Sequence, residues 1–266
     1  MTKVWMVCLV LLSCGDDGAA QQGRFTVETI AEGLSEPVDA VLSPDGATVY
    51  YLTRGADGGL FEVSASGTRK LEDFAAAHAL AISNDGRTIF IADDDEGIIT
   101  LRPDGSLGRT NLPGTSGIYA PRLVARDELC FGAGSDVACV PLAGGATEVV
   151  VHGFPSNVSG VALTVGGRVF AETDDGLYAA DPGRAPERLS AVTGTGGVAL
   201  SFDEQQLIVA GLDAQLTTVA RADGATVDVF DGGVHGNGHA RCLQRAPQAD
   251  VFMMCGDDAV YRLRPR

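Results

Sequence analysis

Short segments in which apolar and polar residues alternate recur along the chain, and several of them end at a turn rich in Gly, Asp or Asn. Residues 39–46 read DAVLSPDG, and residues 79–86 read ALAISNDG. A period of two residues is typical of a β-strand, and the Pro-Asp-Gly and Asn-Asp-Gly sequences favour tight turns. No long stretch repeats with the period of an α-helix. The pattern therefore predicts an all-β fold.

These segments also repeat at a larger interval. Aligning the apolar residue before each turn gives successive intervals of 40, 42, 39, 37 and 43 residues. The six aligned positions are Leu42, Ile82, Val124, Leu163, Leu200 and Leu243. A unit of about 40 residues accommodates four short strands, which make one blade of a β-propeller. We predict a six-bladed β-propeller with four-stranded blades over residues 24–266; the alternative all-β architecture is a sandwich with coincidental spacing.

The two ends of the repeat region predict how the ring closes. Residues 259–263 supply a third strand for the last blade, and little chain remains after them. Residues 24–30 alternate in the manner of a strand and precede the first blade. We expect this N-terminal strand to complete the sixth blade, because a closed ring leaves no exposed strand edge to aggregate.

The first residues have the composition of an export signal. Met1–Lys3 is a short basic start, and the apolar run from Val4 to Leu12 is too short to span a bilayer. The run ends at Leu11-Leu12-Ser13-Cys14, which resembles the bacterial lipobox. The resemblance implies a lipoprotein signal peptide over residues 1–13, a lipidated Cys14 and a flexible tether over residues 14–23. The alternative is an ordinary secretory signal with a chance cysteine.

This resemblance also implies a location. A lipid such as palmitate on Cys14 anchors the protein in a membrane of the cell envelope, on the periplasmic side or at the cell surface. In such lipoproteins, Asp directly after the cysteine signals retention in the inner membrane. Gly15 holds that position here, so the outer membrane is favoured where the cell has one.

Four further cysteines agree with export, because an even number of cysteines in an exported chain indicates disulfides. They are Cys130, Cys139, Cys242 and Cys255. Sequence alone allows three pairings. The local pairing is favoured, since each close pair brackets a predicted hairpin turn. A zinc site is the alternative, but the Cys-x-x-Cys spacing that it commonly uses is absent.

The acidic balance of the chain limits its partners. Asp and Glu number 35 against 19 Lys and Arg, which gives a formal net charge of −16. Such a charge repels a phosphate backbone, so we expect no nucleic-acid partner.

The turns Ser43-Pro44-Asp45-Gly46 and Ser83-Asn84-Asp85-Gly86, within this repeat, resemble the six-bladed propellers of the TolB-like, NHL and SMP-30/gluconolactonase-like group. The resemblance implies a propeller over the whole mature chain. It does not by itself imply an activity, because one fold hosts many functions.

Propeller geometry predicts where a site would lie. The positions leading into each innermost strand share one face with the loops between second and third strands. Those leading positions include Glu36, Asp39, His78, Tyr119, Arg122, Asn157, Ser159, His239 and Arg241. The loops add carboxylates such as Asp94, Glu172 and Asp257, which can hold a divalent ion but are also common in tight turns.

The resemblance to SMP-30-like lactonases implies a divalent cation, Ca²⁺ or Mg²⁺, at the channel mouth. By position, Glu36 or Asp39 would be the acidic ligand and Asn157 the amide ligand. His78 and His239 are candidate ligands or bases. Tyr119, Arg122 and Arg241 are candidate binding residues at the mouth, although the two arginines can instead neutralise acidic groups.

The sequence leaves two hypotheses for the function of the chain. The common nucleophile, phosphate-loop and zinc-protease motifs are absent. We therefore favour a non-catalytic binding module on a lipid anchor, whose partner is a protein, peptide or glycan. The alternative is a divalent-metal lactonase or esterase of the SMP-30-like kind.

Overall fold

The computed structural model describes residues 25–103, 110–113, 115, 123–125, 128–194, 197–211, 215–231, 240–247 and 250–266. Over these residues the chain forms six antiparallel four-stranded sheets arranged as the blades of a ring. The predicted all-β, six-bladed propeller is confirmed. Within the same residues there is no helix with the length and apolarity to cross a membrane.

The strands of the first three blades run in chain order from the centre of the ring outwards. Blade 1 consists of β2 (Pro37–Leu42), β3 (Val49–Thr53), β4 (Gly59–Ser64) and β5 (Gly67–Asp73). Blade 2 consists of β6 (Ala77–Ile82), β7 (Ile89–Asp93), β8 (Gly97–Leu101) and β9 (Thr110–Asn111). Blade 3 consists of β10 (Leu123–Ala125), β11 (Glu128–Ala133), β12 (Asp136–Pro141) and β13 (Glu148–Val151).

Blades 4 and 5 also follow chain order, whereas blade 6 takes its outermost strand from the N-terminal end of the described chain. Blade 4 consists of β14 (Val158–Leu163), β15 (Val169–Thr173), β16 (Gly176–Ala180) and β17 (Glu187–Ser190). Blade 5 consists of β18 (Gly197–Leu200), β19 (Gln206–Ala210), β20 (Gln215–Ala220) and β21 (Thr226–Asp231). Blade 6 consists of β22 (Cys242–Arg245), β23 (Phe252–Cys255), β24 (Ala259–Pro265) and β1 (Phe25–Glu32).

The N-terminal strand closes the ring as expected. β1 lies antiparallel to β24, with Phe25 opposite Pro265 and Val27 opposite Leu263. The Phe25 ring packs edge-on against Phe252, at 5.6 Å between centroids. The last blade is therefore completed by the first strand, and its sheet joins both ends of the described chain.

The core is divided among the interfaces between neighbouring blades. Six apolar clusters fill these interfaces, and each draws its main residues from two adjacent sheets. Both faces of an inner strand are consequently covered, and every residue of β2, β3, β6 and β7 is buried. The alternation seen in the sequence thus separates residues that face one neighbouring blade from residues that face the other.

The turn between the first and second strands repeats in blades 1, 2 and 5. In blade 1, Ser43 Oγ donates to Asp45 Oδ1 at 2.6 Å and accepts from the Thr48 backbone N–H at 2.9 Å. Ser83 with Asp85 and Ser201 with Asp203 make the same short contact. These hydrogen bonds explain why the turn sequence marks the repeat.

Two disulfides reinforce individual blades. Cys130 faces Cys139 across β11 and β12, and Cys242 faces Cys255 across β22 and β23. Both pairs are bonded, so the predicted local pairing is confirmed.

Candidate functional site

The ring has two faces with different chemistry. The first strand of every blade begins at one end of the ring, and this end also carries the loops between second and third strands. We call it the loop face. We call the opposite end, which carries the turns between first and second strands, the turn face. Arg54 N–H donates to the Glu36 carbonyl at 3.1 Å, which joins these two kinds of loop in blade 1.

Asp39 lies on β2, and its carboxylate is fully buried at the inner edge of the ring. Its Oδ1 accepts from the Ala40 backbone N–H at 2.9 Å. Its Oδ2 accepts from the Leu80 backbone N–H and from Gln244 Nε2, each at 2.8 Å. The carboxylate therefore links blades 1, 2 and 6, and these N–H donors compete with any cation for its lone pairs.

The other two proposed metal ligands occupy exposed positions. Glu36 is exposed, with a left-handed backbone at φ 46°. Asn157 is also exposed and leads into blade 4, which stands opposite blade 1 in the ring. Asp39 and Asn157 therefore approach the ring centre from opposite blades, and their role as metal ligands stays a prediction.

Among the described residues, the only three His, Cys, Asp or Glu side chains with ligand atoms within 4.8 Å of one another are Glu128, Cys130 and Cys139. The two sulfurs of that group are joined in a disulfide. Disulfide sulfurs are not thiolates, so this group is a poor metal site.

His78 is buried where β6 begins and belongs to a chain of polar contacts between blades 1 and 2. Its Nδ1 lies 3.1 Å from Asp94 Oδ1. Arg54 Nη2 donates to the other oxygen of Asp94 at 2.9 Å. The Asp94 carboxylate thus lies between an arginine of blade 1 and a histidine of blade 2, and these contacts join the two blades.

Arg241 lies on the loop face of blade 6, where its Nε donates to Asp257 Oδ1 at 3.1 Å. This contact is the neutralising arrangement that the sequence analysis gave as one alternative for the arginine. Cys14, Tyr119, Arg122 and His239 lie outside the described residues, so their roles stay predictions.

Glu172 is a second buried carboxylate on this side of the ring, at the end of β15. Its oxygens lie beside Gly160 and Gly194, where any side chain would collide with them. The two glycines thus make room for a carboxylate between blades 4 and 5.

Sequence reasoning placed candidate residues at the channel mouth but did not predict the open, apolar interior of the channel. A cavity of about 510 Å³ runs inside the ring and is lined by the first strands of all six blades. Most of its wall consists of Val, Ala, Leu, Ile and Gly residues. Its lining residues on β14 and β18, for example, are Gly160, Val161, Ala162, Leu163, Gly197, Val198, Ala199 and Leu200.

The channel extends to the turn face, where its mouth is bordered by exposed apolar side chains together with Asn84, Glu204 and Arg245. Val165 is 84% exposed and Phe202 is 58% exposed, and both border the cavity together with Pro247. The guanidinium carbon of Arg245 lies 5.7 Å from the centroid of the Phe202 ring. Exposed apolar groups at the mouth of a concave apolar cavity are typical of a ligand site.

Hydrogen bonds fix the backbone of this rim. Glu204 Oε1 accepts from the Val165 N–H at 2.7 Å, and Asp250 Oδ1 accepts from the Phe202 N–H at 2.6 Å. Glu204 adopts a left-handed φ of 56°, whereas Gly46 and Gly86 hold the equivalent turn position in blades 1 and 2. A strained residue at the rim is consistent with a functional role for this turn.

A signal for the rim was present in the sequence. Residues 201–204 read SFDE where the first two blades read SPDG and SNDG. The turn of blade 5 thus carries a large apolar residue and replaces the glycine by glutamate. Comparing the turns residue by residue would have singled out Phe202 and Glu204.

Comparison with known proteins supports the architecture. No family model matches the chain, and no curated protein matches it. A solved structure of a candidate gluconolactonase is 11% identical with a TM-score of 0.72, covering 93% of this chain and 94% of that chain. The calcium-binding protein regucalcin from Agrobacterium tumefaciens is 14% identical with a TM-score of 0.63, covering 91% of this chain and 94% of that chain.

The WD40 repeats of RRP9 are also similar, at 10% identity and a TM-score of 0.69, with 90% of this chain and 97% of that chain covered. Identities this low establish a shared fold and no shared activity. The protein is a six-bladed β-propeller whose structural neighbours include gluconolactonase-like and regucalcin-like propellers.

Proposed function

We propose that this protein is a ligand-binding module whose central channel takes an apolar ligand from the turn face. The observation that carries the proposal is the cavity of about 510 Å³ with a predominantly aliphatic wall. Its volume lies within the range of about 300–1,000 Å³ that is usual for small-molecule sites. Burying apolar ligand surface against such a wall is favourable without any catalytic group.

The direction of the N-terminal strand determines which face of the propeller a lipid anchor would hold near a membrane. β1 leads through residues 33–36 into β2 on the loop face, so its first residue, Phe25, lies on the side of the turn face. The proposed tether of residues 14–23 would therefore leave the propeller on the side where the channel opens. A lipidated Cys14 would hold that mouth near an envelope membrane.

Rim variants test the binding proposal. The probe is N-phenyl-1-naphthylamine, whose fluorescence rises in apolar surroundings. We expect the wild type to bind the probe saturably. We expect the affinity for the probe to fall by about threefold or more in both Val165→Ser and Phe202→Ser, because each substitution removes an apolar side chain at the channel mouth. Val227→Ser is the matched control, since Val227 is an exposed valine on outer strand β21.

Two outcomes would count against the binding module. One is the absence of saturable probe binding by the wild type. The other is equal affinity of the rim variants and the Val227→Ser control.

A divalent-metal lactonase or esterase is the second candidate. The similarity to structures described as a calcium-binding regucalcin and a candidate gluconolactonase favours it. The loop face also carries the buried carboxylates of Asp39 and Glu172. Metal analysis of the purified protein with and without chelator, together with a panel of lactones and esters, decides the matter. A stoichiometric metal with chelator-sensitive hydrolysis would replace the binding proposal.

A further inference from the structure

Building on the proposed channel site, we propose that the ligand has an apolar body ending in a hydrogen-bond donor, an O–H or N–H group. The acceptor for that donor is Oε1 of Gln244, on β22. This assignment names the chemical class of the ligand and depends on the channel being the binding site.

The orientation of the Gln244 amide follows from its partners. Nε2 lies 2.8 Å from Asp39 Oδ2 and 2.5 Å from the Leu80 carbonyl oxygen. A carboxylate and a carbonyl are both acceptors, so the amide atom that faces them must be the NH₂ group. The carbonyl Oε1 is thereby directed away from Asp39 and Leu80. Gln244 also borders the cavity.

Gln244 has an unusual place in the channel wall. The other polar residues among the described lining are Asn84, Glu204 and Arg245. Asn84 and Glu204 belong to turns at the mouth, and Arg245 is the last residue of β22. Gln244 instead reaches from blade 6 to the middle of β2 and β6. It thus supplies a polar group inside an otherwise apolar stretch of wall.

Two effects make this oxygen selective. Its amide group donates to the buried Asp39 carboxylate, which accepts from two further N–H groups, and such donors favour the ionised form. This contact polarises the amide and strengthens its oxygen as an acceptor. An apolar ligand without a donor would strip water from the oxygen and leave it unpaired, which costs binding free energy. A ligand with an O–H or N–H group avoids that cost.

The nearby charge excludes an anionic end group. The Asp39 carboxylate is fully buried directly behind the Gln244 amide. A ligand carboxylate or phosphate at the same depth would be repelled by it in low-dielectric surroundings. The class is therefore an alcohol, a phenol, an amide or an amine on an apolar body.

Matched probes test the inference. 2-Naphthol and 2-methoxynaphthalene share one aromatic body, and only the naphthol donates a hydrogen bond. By calorimetry or fluorescence titration at neutral pH, we expect the wild type to bind 2-naphthol about tenfold more tightly than the ether. In Gln244→Met, which keeps the length of the side chain, we expect 2-naphthol to bind no more tightly than the ether.

The controls separate this inference from the channel proposal. Thermal unfolding and circular dichroism establish that Gln244→Met is folded, since that change also removes the bonds to Asp39 and Leu80. The comparison of the two probes on the wild type needs no variant. Equal affinities on the wild type overturn the donor requirement and leave the channel proposal standing. A preference that persists in Gln244→Met overturns the role of Gln244, and binding of neither probe overturns the channel proposal itself.

Discussion

The Ser–Asp pair in the turns is the smallest unit that recurs from blade to blade. The hydroxyl of Ser43 donates to Asp45, and the Ala47 backbone N–H adds a second bond to the same carboxylate oxygen at 3.0 Å. Both bonds stabilise the ionised form, and they hold the pKa of Asp45 below its ordinary value. Ser83 lowers the pKa of Asp85 in the same way.

Removing the serine hydroxyl tests this description. We expect Ser43→Ala to raise the pKa of Asp45 toward its ordinary value of 3.8 while the pKa of Asp85 stays low. Carbon-detected NMR titration of the aspartate carboxyl groups measures both. Ser83→Ala is the matched control and should affect Asp85 alone; an unchanged Asp45 pKa in Ser43→Ala would contradict the hydrogen bond.

The sign of the pH effect follows from the lowered pKa. The folded-state pKa of Asp45 is below the unfolded-state value. The contribution of the turn to stability is therefore complete above the unfolded-state pKa, and it is lost as the pH falls through the folded-state pKa. The difference in the free energy of unfolding between the wild type and Ser43→Ala should therefore become smaller as the pH is lowered.

At the scale of elements, β1 connects the two ends of the ring. Phe25 is buried and contacts Phe252 of β23, while Thr26 on the same strand is exposed. Without this strand, β24 would present an unpaired edge, which favours aggregation. The strand therefore contributes both apolar burial and edge protection.

Truncating Phe25 measures that contribution. We expect Phe25→Ala to lower the free energy of unfolding by about 3 kcal/mol, because a buried ring is replaced by a cavity. Urea unfolding monitored by circular dichroism gives the value. Thr26→Ala serves as the control and should change stability little; equal effects of the two changes would contradict a packed closing strand.

Much of the blade architecture could be predicted because its signals are local. The turns after Leu42 and Ile82 are encoded within a few residues of each strand, and their spacing counts the blades. The closing strand followed from the shortage of strands in the last blade. The disulfides followed because each pair flanks one hairpin.

The candidate site could not be predicted to the same degree. Whether the channel is open depends on the combined volume of side chains from six strands, which are spread over about two hundred residues of sequence. No local sequence pattern predicts that combined volume. The hydrogen-bond partners of Asp39 also could not be predicted, since Leu80 and Gln244 are 41 and 205 residues away.

At the scale of the whole molecule, the two faces of the ring divide the chemistry. On the loop face, His78 and Arg241 engage in contacts that join strands or blades. On the turn face, Val165 and Phe202 leave apolar surface open around the channel mouth. This division is the reason for placing the ligand in the channel and not at the loop face.

One measurement tests this central claim most directly: a crystal structure of the protein with 6-bromo-2-naphthol, in which the anomalous signal of bromine locates the ligand. We expect a single strong peak inside the channel, lined by β14, β18 and β22, with the naphthol hydroxyl within hydrogen-bond distance of Gln244 Oε1. A peak at the loop face beside Asp94 and His78, or no peak at saturating ligand, would contradict the claim.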